Sequence, residues 1–335
     1  SVSSTLYIGT IMLSFIFLYL VFMTIKCRFV RYHNMMIKEL SILIPIFNDD
    51  ASRLVEAVSR QAQSIDGLCY EIVVFDDGST DESIKSKNLS LEKIPFCRLV
   101  FSPHHACRAA MRNAMSRCGK YDWHLMIDAR LTLVHDDFLL RYLQSGVSVG
   151  CAAVGGVCVD GGDKSAELYC HNLRFRYEKY EERYHSLSER LSNPYKSFRT
   201  TNFFYHRSVL QRVAYDESII GYGYEDVLLG KQLEQAGIGV LHIDNPVAYT
   251  SFEDNRRYLS KLEEALLTLH QNSSKLEQFS PLHDTVSKFQ ALHLLWLVKC
   301  WHRLFARMEL SVLCGASPKL AVLKLYKLGY YASLA

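Results

Sequence analysis

Short β-branched runs alternate with helical stretches through the first third of the chain. Residues 40–46 and 71–75 read LSILIPI and EIVVF, and turn residues close both runs. A helical stretch over 54–62 separates them, and a helix over about 105–117 followed by the apolar strand 123–127 repeats the pattern. This alternation predicts a doubly wound α/β fold with a mostly parallel sheet and flanking helices.

Polar residues follow each predicted strand. Asn48 comes after the first strand, Asp76 and Asp77 after the second, and Asp128 after the third. Ligands of parallel sheets bind beyond the carboxyl ends of the strands. We therefore expect these side chains to lie around one site.

The pattern loosens between residues 151 and 199. A glycine-bearing strand region precedes the charged, tyrosine-rich stretch LRFRYEKYEERYHSLSER. This stretch either builds the acceptor side of a site or forms a solvated helix. From residue 258 to the end the pattern is helical.

One stretch of this helical region, residues 288–308, is amphipathic. Its apolar face holds Leu294, Val298, Trp301 and Phe305, and its opposite face holds basic residues. Those basic residues are Lys299, Arg303 and Arg307. Such a helix either lies on a bilayer surface or packs on the rest of the protein.

Residues 6–25 contain no charged side chain, and this length is sufficient to cross about 30 Å of hydrocarbon. Basic residues follow this segment closely and none precedes it, which predicts a single-pass anchor in the inner (cytoplasmic) membrane with the rest of the chain in the cytoplasm. A buried helix is the alternative. The expected organisation is an anchor with its basic flank over 1–38, an α/β domain over 39–275 and a helical region over 276–335.

Composition changes this picture little. The chain has 335 residues, of which 49% are hydrophobic and 22% charged, enough for one large α/β domain or two small ones. A net charge of +3 without a basic tract argues against nucleic-acid binding. The ten cysteines lack the paired spacing of metal or redox motifs and indicate reduced thiols.

Seven strings occur in the order typical of a known family: SILIPIFN, EIVVFDDGSTDES, CRAAMRN, HLMIDAR, TTNFF, GYGYED and DNPVAYTSFEDN. Over about residues 40–270 the chain resembles family 2 glycosyltransferases, most of all the bacterial envelope-polysaccharide members. The resemblance implies a GT-A fold and an inverting transfer from a UDP- or GDP-sugar to a glycan or lipid-linked acceptor. A non-catalytic GT-A module that binds partners in a membrane assembly is the alternative.

The resemblance assigns the nucleotide pocket to two strand ends. It places Pro45, Phe47 and Asn48 along the pocket, and Asp76 or Asp77 where a carboxylate accepts from the imide N–H of a uracil. Gly78 and the residues after it allow a sharp turn into a helix. A capped surface turn explains the same letters.

Two arginines are candidates for the diphosphate. Arg108 and Arg112 lie four residues apart, so they share one helix face, and paired guanidiniums can chelate phosphate oxygens. The resemblance supports this assignment, although helix arginines alone more often form a solvated face.

The string GYGYED resembles the acidic motif that supplies the catalytic base of inverting GT-A enzymes. By that pattern Asp226 takes the proton of the acceptor hydroxyl, and Glu225 binds acceptor or donor hydroxyls. A plain helix start with an acidic first turn fits the same residues.

The chain departs from the family at two metal positions. The Asp-x-Asp motif falls on Asp128 and Arg130, and Tyr249 replaces the histidine of the NPVxH segment. Asp128 alone then remains as a ligand, and the need for Mg²⁺ or Mn²⁺ is open. Either Arg130, helped by Arg112, neutralises the leaving diphosphate in place of a metal, or the domain only binds or scaffolds. The surviving motifs favour an active enzyme.

Overall fold

The structure is a computed structural model that describes residues 36–102 and 104–335. The predicted anchor over 6–25 lies outside the described residues. Within the described ranges no helix combines the length and the apolar character needed to cross a bilayer.

Two sheets organise the chain. The larger sheet has seven strands in the order β3-β2-β1-β4-β8-β6-β9, and the smaller has three in the order β5-β10-β7. The strands are β1 (Glu39–Ile46), β2 (Cys69–Asp76), β3 (Cys97–Phe101), β4 (Trp123–Ile127), β5 (Leu131–Leu133), β6 (Ala152–Val154), β7 (Val157–Val159), β8 (Asn202–His206), β9 (Val240–His242) and β10 (Val247–Tyr249).

Helices flank the larger sheet and continue beyond it. They are α1 (Ser52–Gln63), α2 (Glu82–Leu89), α3 (Arg108–Cys118), α4 (Phe138–Leu143), α5 (Ser165–His171), α6 (Leu173–Glu181), α7 (Leu187–Ser192), α8 (Ser208–Arg212), α9 (Glu225–Gln235), α10 (Asn255–Gln271), α11 (Pro281–Ala291), α12 (Leu295–Cys314) and α13 (Leu320–Leu334). Short 3₁₀ turns lie over Ser90–Lys93, Gly162–Lys164, Glu182–His185 and Ser273–Lys275.

The predicted β-α-β units are confirmed. They form because the side chains of β1 alternate between the two faces of the sheet. Ile42 and Ile44 belong to the core beneath α1, whereas Leu43 belongs to a second core beneath α3. Because successive side chains of a strand point to opposite faces, a continuous apolar strand requires cover on both sides. Strands β1, β2, β3 and β4 pair in parallel, whereas β8 runs antiparallel to β4.

The register brings the predicted polar residues to one edge of the sheet. Ile46 is paired with Asp76, and the Asp77 N–H donates to the Ile46 carbonyl at 3.0 Å. The Asp128 N–H donates to the Thr201 carbonyl at 3.2 Å, which fixes the end of β4. The smaller sheet places Tyr249 opposite Leu131, just beyond this end.

The charged stretch after residue 172 is helical, and it forms α6, a 3₁₀ turn and α7. Leu173 and Phe175 of α6 are buried. The stretch is therefore not a fully solvated helix, and two of its cationic residues, Arg174 and Arg190, bond to other parts of the protein.

The helical region beyond residue 275 shares a core with the α/β domain. Leu276 and Tyr331 cluster with Leu228 of α9 and Leu266 of α10. The predicted boundary at 275/276 thus does not separate two hydrophobic cores.

The prediction of one helix over 288–308 is wrong. Helix α11 ends at Ala291, His293 has a φ of 56°, and α12 begins at Leu295. A residue in the left-handed region interrupts the helical hydrogen bonds, so the two helices take different directions.

Candidate active site

The turn after β2 is built by hydrogen bonds rather than by packing. The Asp76 carboxylate accepts from the Ser79 N–H at 2.7 Å and is buried. Gly78 has a φ of 78°, a conformation that favours glycine, and a side chain there would meet the backbone of His105 at 3.0 Å. Asp76 therefore shapes the turn.

Asn48 completes the same turn from the end of β1. Its φ of 53° turns its side-chain oxygen toward the N–H groups of Thr80 and Asp81, which donate at 2.8 and 2.9 Å. Asparagine tolerates this conformation better than most residues. Pro45 is buried within β1, whereas Phe47 is 39% exposed. Phe47 is thus the residue of this strand end that offers a ring surface to a nucleotide.

The Asp77 carboxylate fastens the loop before α3. It accepts from the Ala106 N–H at 3.1 and 3.2 Å and lies 2.8 Å from the His105 Nδ1. The His105 ring stacks on Phe47 at 4.1 Å. Burial raises the pKa of Asp77, while the Ala106 N–H and His105 oppose that shift. A carboxylate has about four acceptor positions, so a further donor such as an imide N–H can still bind.

The two arginines of α3 have different environments. Arg112 is buried and donates to Asp128 at 3.1 Å and to the Thr200 carbonyl at 3.4 Å. Arg108 is nearly half exposed, lies 3.6 Å from Glu225 and stacks on the Tyr222 ring at 4.3 Å. Arg112 therefore orients Asp128, and Arg108 is the one of the pair that can reach a phosphate.

The acidic pair opens α9 directly after two left-handed residues. Gly223 and Tyr224 have φ angles of 88° and 68°, which turn the chain sharply into the helix. Glu225 is buried, and within residues 36–102 and 104–335 its Oε2 has no hydrogen-bond partner. The Asp226 carboxylate accepts a local bond from the Val227 N–H at 2.8 Å.

Asp226 is half-buried at the start of α9, and its carboxylate is partly desolvated. Burial raises its pKa to about 6, the neighbouring Glu225 adds to the shift, and the guanidiniums of Arg199 and Arg112 oppose it. A carboxylate with a pKa near that value is well matched to accept a proton at neutral pH. Arg112, which is paired with Asp128, thus lies close enough to Asp226 to lower its pKa, and this relates Asp226 to the Asp128 end of the sheet.

A second set of charges was not predicted from the sequence. Glu253 is bonded to Arg174 of α6 and lies 3.2 Å from Lys261 of α10. Burial alone would raise the pKa of Glu253, but Arg174 and Lys261 lower it to about 2. Arg174 also lies over the Tyr249 ring at 5.3 Å. Glu253 lies in the string DNPVAYTSFEDN, so that motif could have indicated this residue. No local sequence pattern indicates Lys261.

Arg130 does not contact Asp128 in this arrangement. Its guanidinium is bonded to Asp49 and remains 42% exposed. Burial is the largest cause of the lowered pKa of Lys261, and the positive charge of Arg130 lowers that pKa further. Arg130 and Lys261 therefore contribute positive charge to the same region from two different elements.

The residues at the metal position do not fit a resident divalent ion. One oxygen of Asp128 is bonded to Arg112, and a guanidinium and a phenol occupy the other two family positions. Mg²⁺ is usually held by one or two carboxylates together with substrate phosphates, and here the remaining carboxylate of the motif is already paired with a guanidinium. Among residues 36–102 and 104–335 there is no group of three His, Cys, Asp or Glu side chains suited to a metal.

Comparisons with known proteins agree with this architecture. The model of the family described as "Glycosyl transferase family 2" matches residues 41–214. An "Uncharacterized glycosyltransferase" of Haemophilus influenzae is 30% identical over 100 residues, which cover 30% of this chain and 37% of that protein. The chain thus matches little more than a third of the length of that curated relative.

Two solved structures are similar to this chain. The mannosyltransferase PcManGT from Pyrobaculum calidifontis, solved with GDP-Man and Mn²⁺, has a TM-score of 0.54 at 12% identity and covers 93% of this chain and 92% of its own. Glucosyl-3-phosphoglycerate synthase from Mycobacterium tuberculosis, solved with Mn²⁺, UDP and glucosyl-3-phosphoglycerate, has a TM-score of 0.44 at 16% identity and covers 70% of this chain and 79% of its own. The first of these similarities supports the GT-A-like fold.

Proposed function

Because the chain belongs to glycosyl transferase family 2 and is a glycosyltransferase, we propose that it transfers a sugar, with inversion, from a UDP- or GDP-sugar to a hydroxyl of a glycan or lipid-linked acceptor. The observation that carries this proposal is the partly desolvated Asp226 at the start of α9, close to the Arg112–Asp128 pair. A partly desolvated carboxylate at this place favours a catalytic role over a non-catalytic module.

The proposed reaction is one displacement. The acceptor oxygen forms a bond to the anomeric carbon while its proton passes to Asp226, and the bond from the anomeric carbon to the diphosphate oxygen breaks. The electron pair of that bond leaves with the nucleoside diphosphate. Glu225, with its unpartnered Oε2, binds a sugar or acceptor hydroxyl.

The leaving diphosphate gains negative charge, so positive groups must face it. Arg108, Arg130 and Lys261 are the candidates, since each carries an accessible or partly accessible cation beside the polar edge of the sheet. We infer that these fixed cations replace the metal ion and that transfer is metal-independent. Fixed guanidiniums supply this kind of stabilisation in other phosphate chemistry.

We further propose a role in envelope polysaccharide synthesis at the inner (cytoplasmic) membrane. The family resemblance of the motifs and the uncharged segment 6–25 with its basic flank support this assignment. A membrane-held domain reaches a lipid-linked acceptor directly.

The test is sugar transfer by the purified full chain from UDP- and GDP-sugars in excess chelator. The proposal predicts turnover that added Mg²⁺ or Mn²⁺ changes little, with Arg130→Asp lowering the rate and increasing its response to metal. Activity that vanishes in chelator and returns fully with metal would contradict the metal-independent mechanism. No transfer or donor hydrolysis under any condition would contradict the catalytic role.

A further inference from the structure

Helix α12 exposes apolar side chains on its outer side. Its inner side packs on neighbouring C-terminal helices, where Leu295 and Val298 join the core. On the outer side Leu297, Trp301, Leu304 and Met308 are exposed. These four residues, spaced i, i+4, i+7 and i+11, form one continuous row, here called the outer stripe.

The outer stripe extends at its N-terminal end. Trp296 is 61% exposed and Leu292, in the turn before the helix, is 66% exposed. The predicted division into one apolar and one basic face is therefore incomplete. Arg303 and Arg307 are also exposed, so apolar and basic residues share the outer side.

The sequence that contains the outer stripe is strongly basic. Between residue 285 and the end of the chain the sequence has seven lysines and arginines and a single acidic residue, Glu309. Glu309 is buried and accepts from the Trp301 Nε1 at 3.0 Å. The basic residues are Lys288, Lys299, Arg303, Arg307, Lys319, Lys324 and Lys327. The only acidic side chain of this stretch of sequence is therefore buried.

We propose that the outer stripe lies in the interfacial layer of an anionic lipid bilayer. An exposed apolar row with tryptophans and flanking arginines is the composition of helices that lie in the plane of a membrane. Tryptophan favours the headgroup level, and basic side chains are attracted to anionic lipids. The proposal is independent of the sugar-transfer reaction.

Charge favours lipid over a second copy of the chain. Two outer stripes packed against each other would bring Arg303 and Arg307 near their copies without an exposed acid to pair with. Like charges at a desolvated interface disfavour association. Anionic headgroups provide the missing negative charge.

The tryptophans provide the measurement. The protein has three tryptophans, and the third, Trp123, stacks on Phe204 at 5.1 Å in the larger sheet. The double variant Trp296→Phe, Trp301→Phe keeps only Trp123, so its emission gives the baseline. The full chain is reconstituted in vesicles of phosphatidylcholine, with or without phosphatidylglycerol, carrying bromine near the top of the acyl chains. We expect loss of most Trp296 and Trp301 emission in anionic brominated vesicles, with protection from aqueous iodide.

Leu297→Glu with Leu304→Glu should abolish this quenching and restore quenching by iodide. Leu89→Glu with Leu191→Glu is the matched control, because these leucines of α2 and α7 are also exposed, at 50% and 55% against 47% and 75% for Leu297 and Leu304, and it should behave as wild type. Unchanged iodide access in anionic vesicles would overturn the proposal. Shielding from iodide that does not depend on lipid would also overturn the proposal in two cases. In the first, the Leu297→Glu, Leu304→Glu variant loses both this shielding and a dimer. In the second, removal of residues 1–35 abolishes the shielding.

Discussion

Two pairs of adjacent carboxylates lie at this site, and they differ in their hydrogen bonding. Asp76 and Asp77 follow a strand, each accepts a backbone N–H bond, and Asp77 also pairs with His105. Glu225 and Asp226 begin a helix, and one oxygen of Glu225 has no partner while burial raises the pKa of Asp226 to about 6. The same sequence pattern thus gives one pair that holds structure and one that is poised for proton transfer.

The difference comes from what faces each pair. The strand-end pair lies in a turn whose backbone N–H groups donate to the carboxylates, and for Asp77 these bonds oppose the effect of burial on the pKa. For Asp226, burial and the neighbouring Glu225 together raise the pKa, and Arg199 and Arg112 only partly oppose them. A carboxylate with a strongly raised pKa is a candidate for catalysis.

Asp226→Asn should produce the largest effect. Loss of a general base lowers the transfer rate by about a hundredfold to ten-thousandfold, because no other group accepts the acceptor proton. Nucleotide affinity, measured by calorimetry with UDP and GDP, should change little. Unchanged turnover would mean that the two acidic pairs do not differ in the proposed way.

A comparison of Asp77→Asn with Asp76→Asn tests the other pair. Asp77→Asn should weaken nucleotide binding by roughly tenfold to a hundredfold, because a charged hydrogen-bond acceptor is lost and the loop at His105 is released. Asp76→Asn keeps an acceptor for the Ser79 N–H and should change affinity little. Equal losses in both variants would show that the turn as a whole, rather than Asp77, controls binding.

The pH dependence of the transfer rate distinguishes the two carboxylate pairs by the pH at which a carboxylate ionises. Transfer requires ionised Asp226, whose pKa lies at about 6, so the rate should fall about tenfold per pH unit below that value. The profile should be flat from pH 7 upward until another group titrates. If the transfer rate falls only at pH 4 or below, Asp226 is not the base that titrates.

The smallest effect is expected on the free energy of unfolding. This free energy should decrease with rising pH over the range in which activity increases. The pKa of Asp226 is higher in the folded protein than its ordinary value of 3.8, so the native state binds more protons between about pH 4 and 6. The free energy of unfolding should therefore decrease as pH rises through that window. Asp226→Asn should remove this decrease and stabilise the protein at pH 7 by on the order of 1 kcal/mol, measured by denaturant titration. A destabilised variant would indicate that Asp226 has an unrecognised native partner.

Local patterns determined the central sheet and the identity of the acidic pairs. The strands β1, β2 and β4 could be predicted because apolar β-branched runs bounded by turn residues permit few other structures. The turn at Gly78 could be predicted for the same reason, whereas the sequence assigned Asn48 to the nucleotide pocket and did not indicate its bonds to this turn. The family resemblance then placed Glu225 and Asp226.

Only the tertiary structure decided which charges meet. The bonds of Arg112 to Asp128, of Arg130 to Asp49 and of Lys261 to Glu253 join residues from separate elements. No periodicity encodes such pairs, because burial and charge pairing depend on how helices and sheets pack in three dimensions. The break at His293 and the outer stripe of α12 have the same origin, because packing on neighbouring helices selects which face of an amphipathic segment is buried.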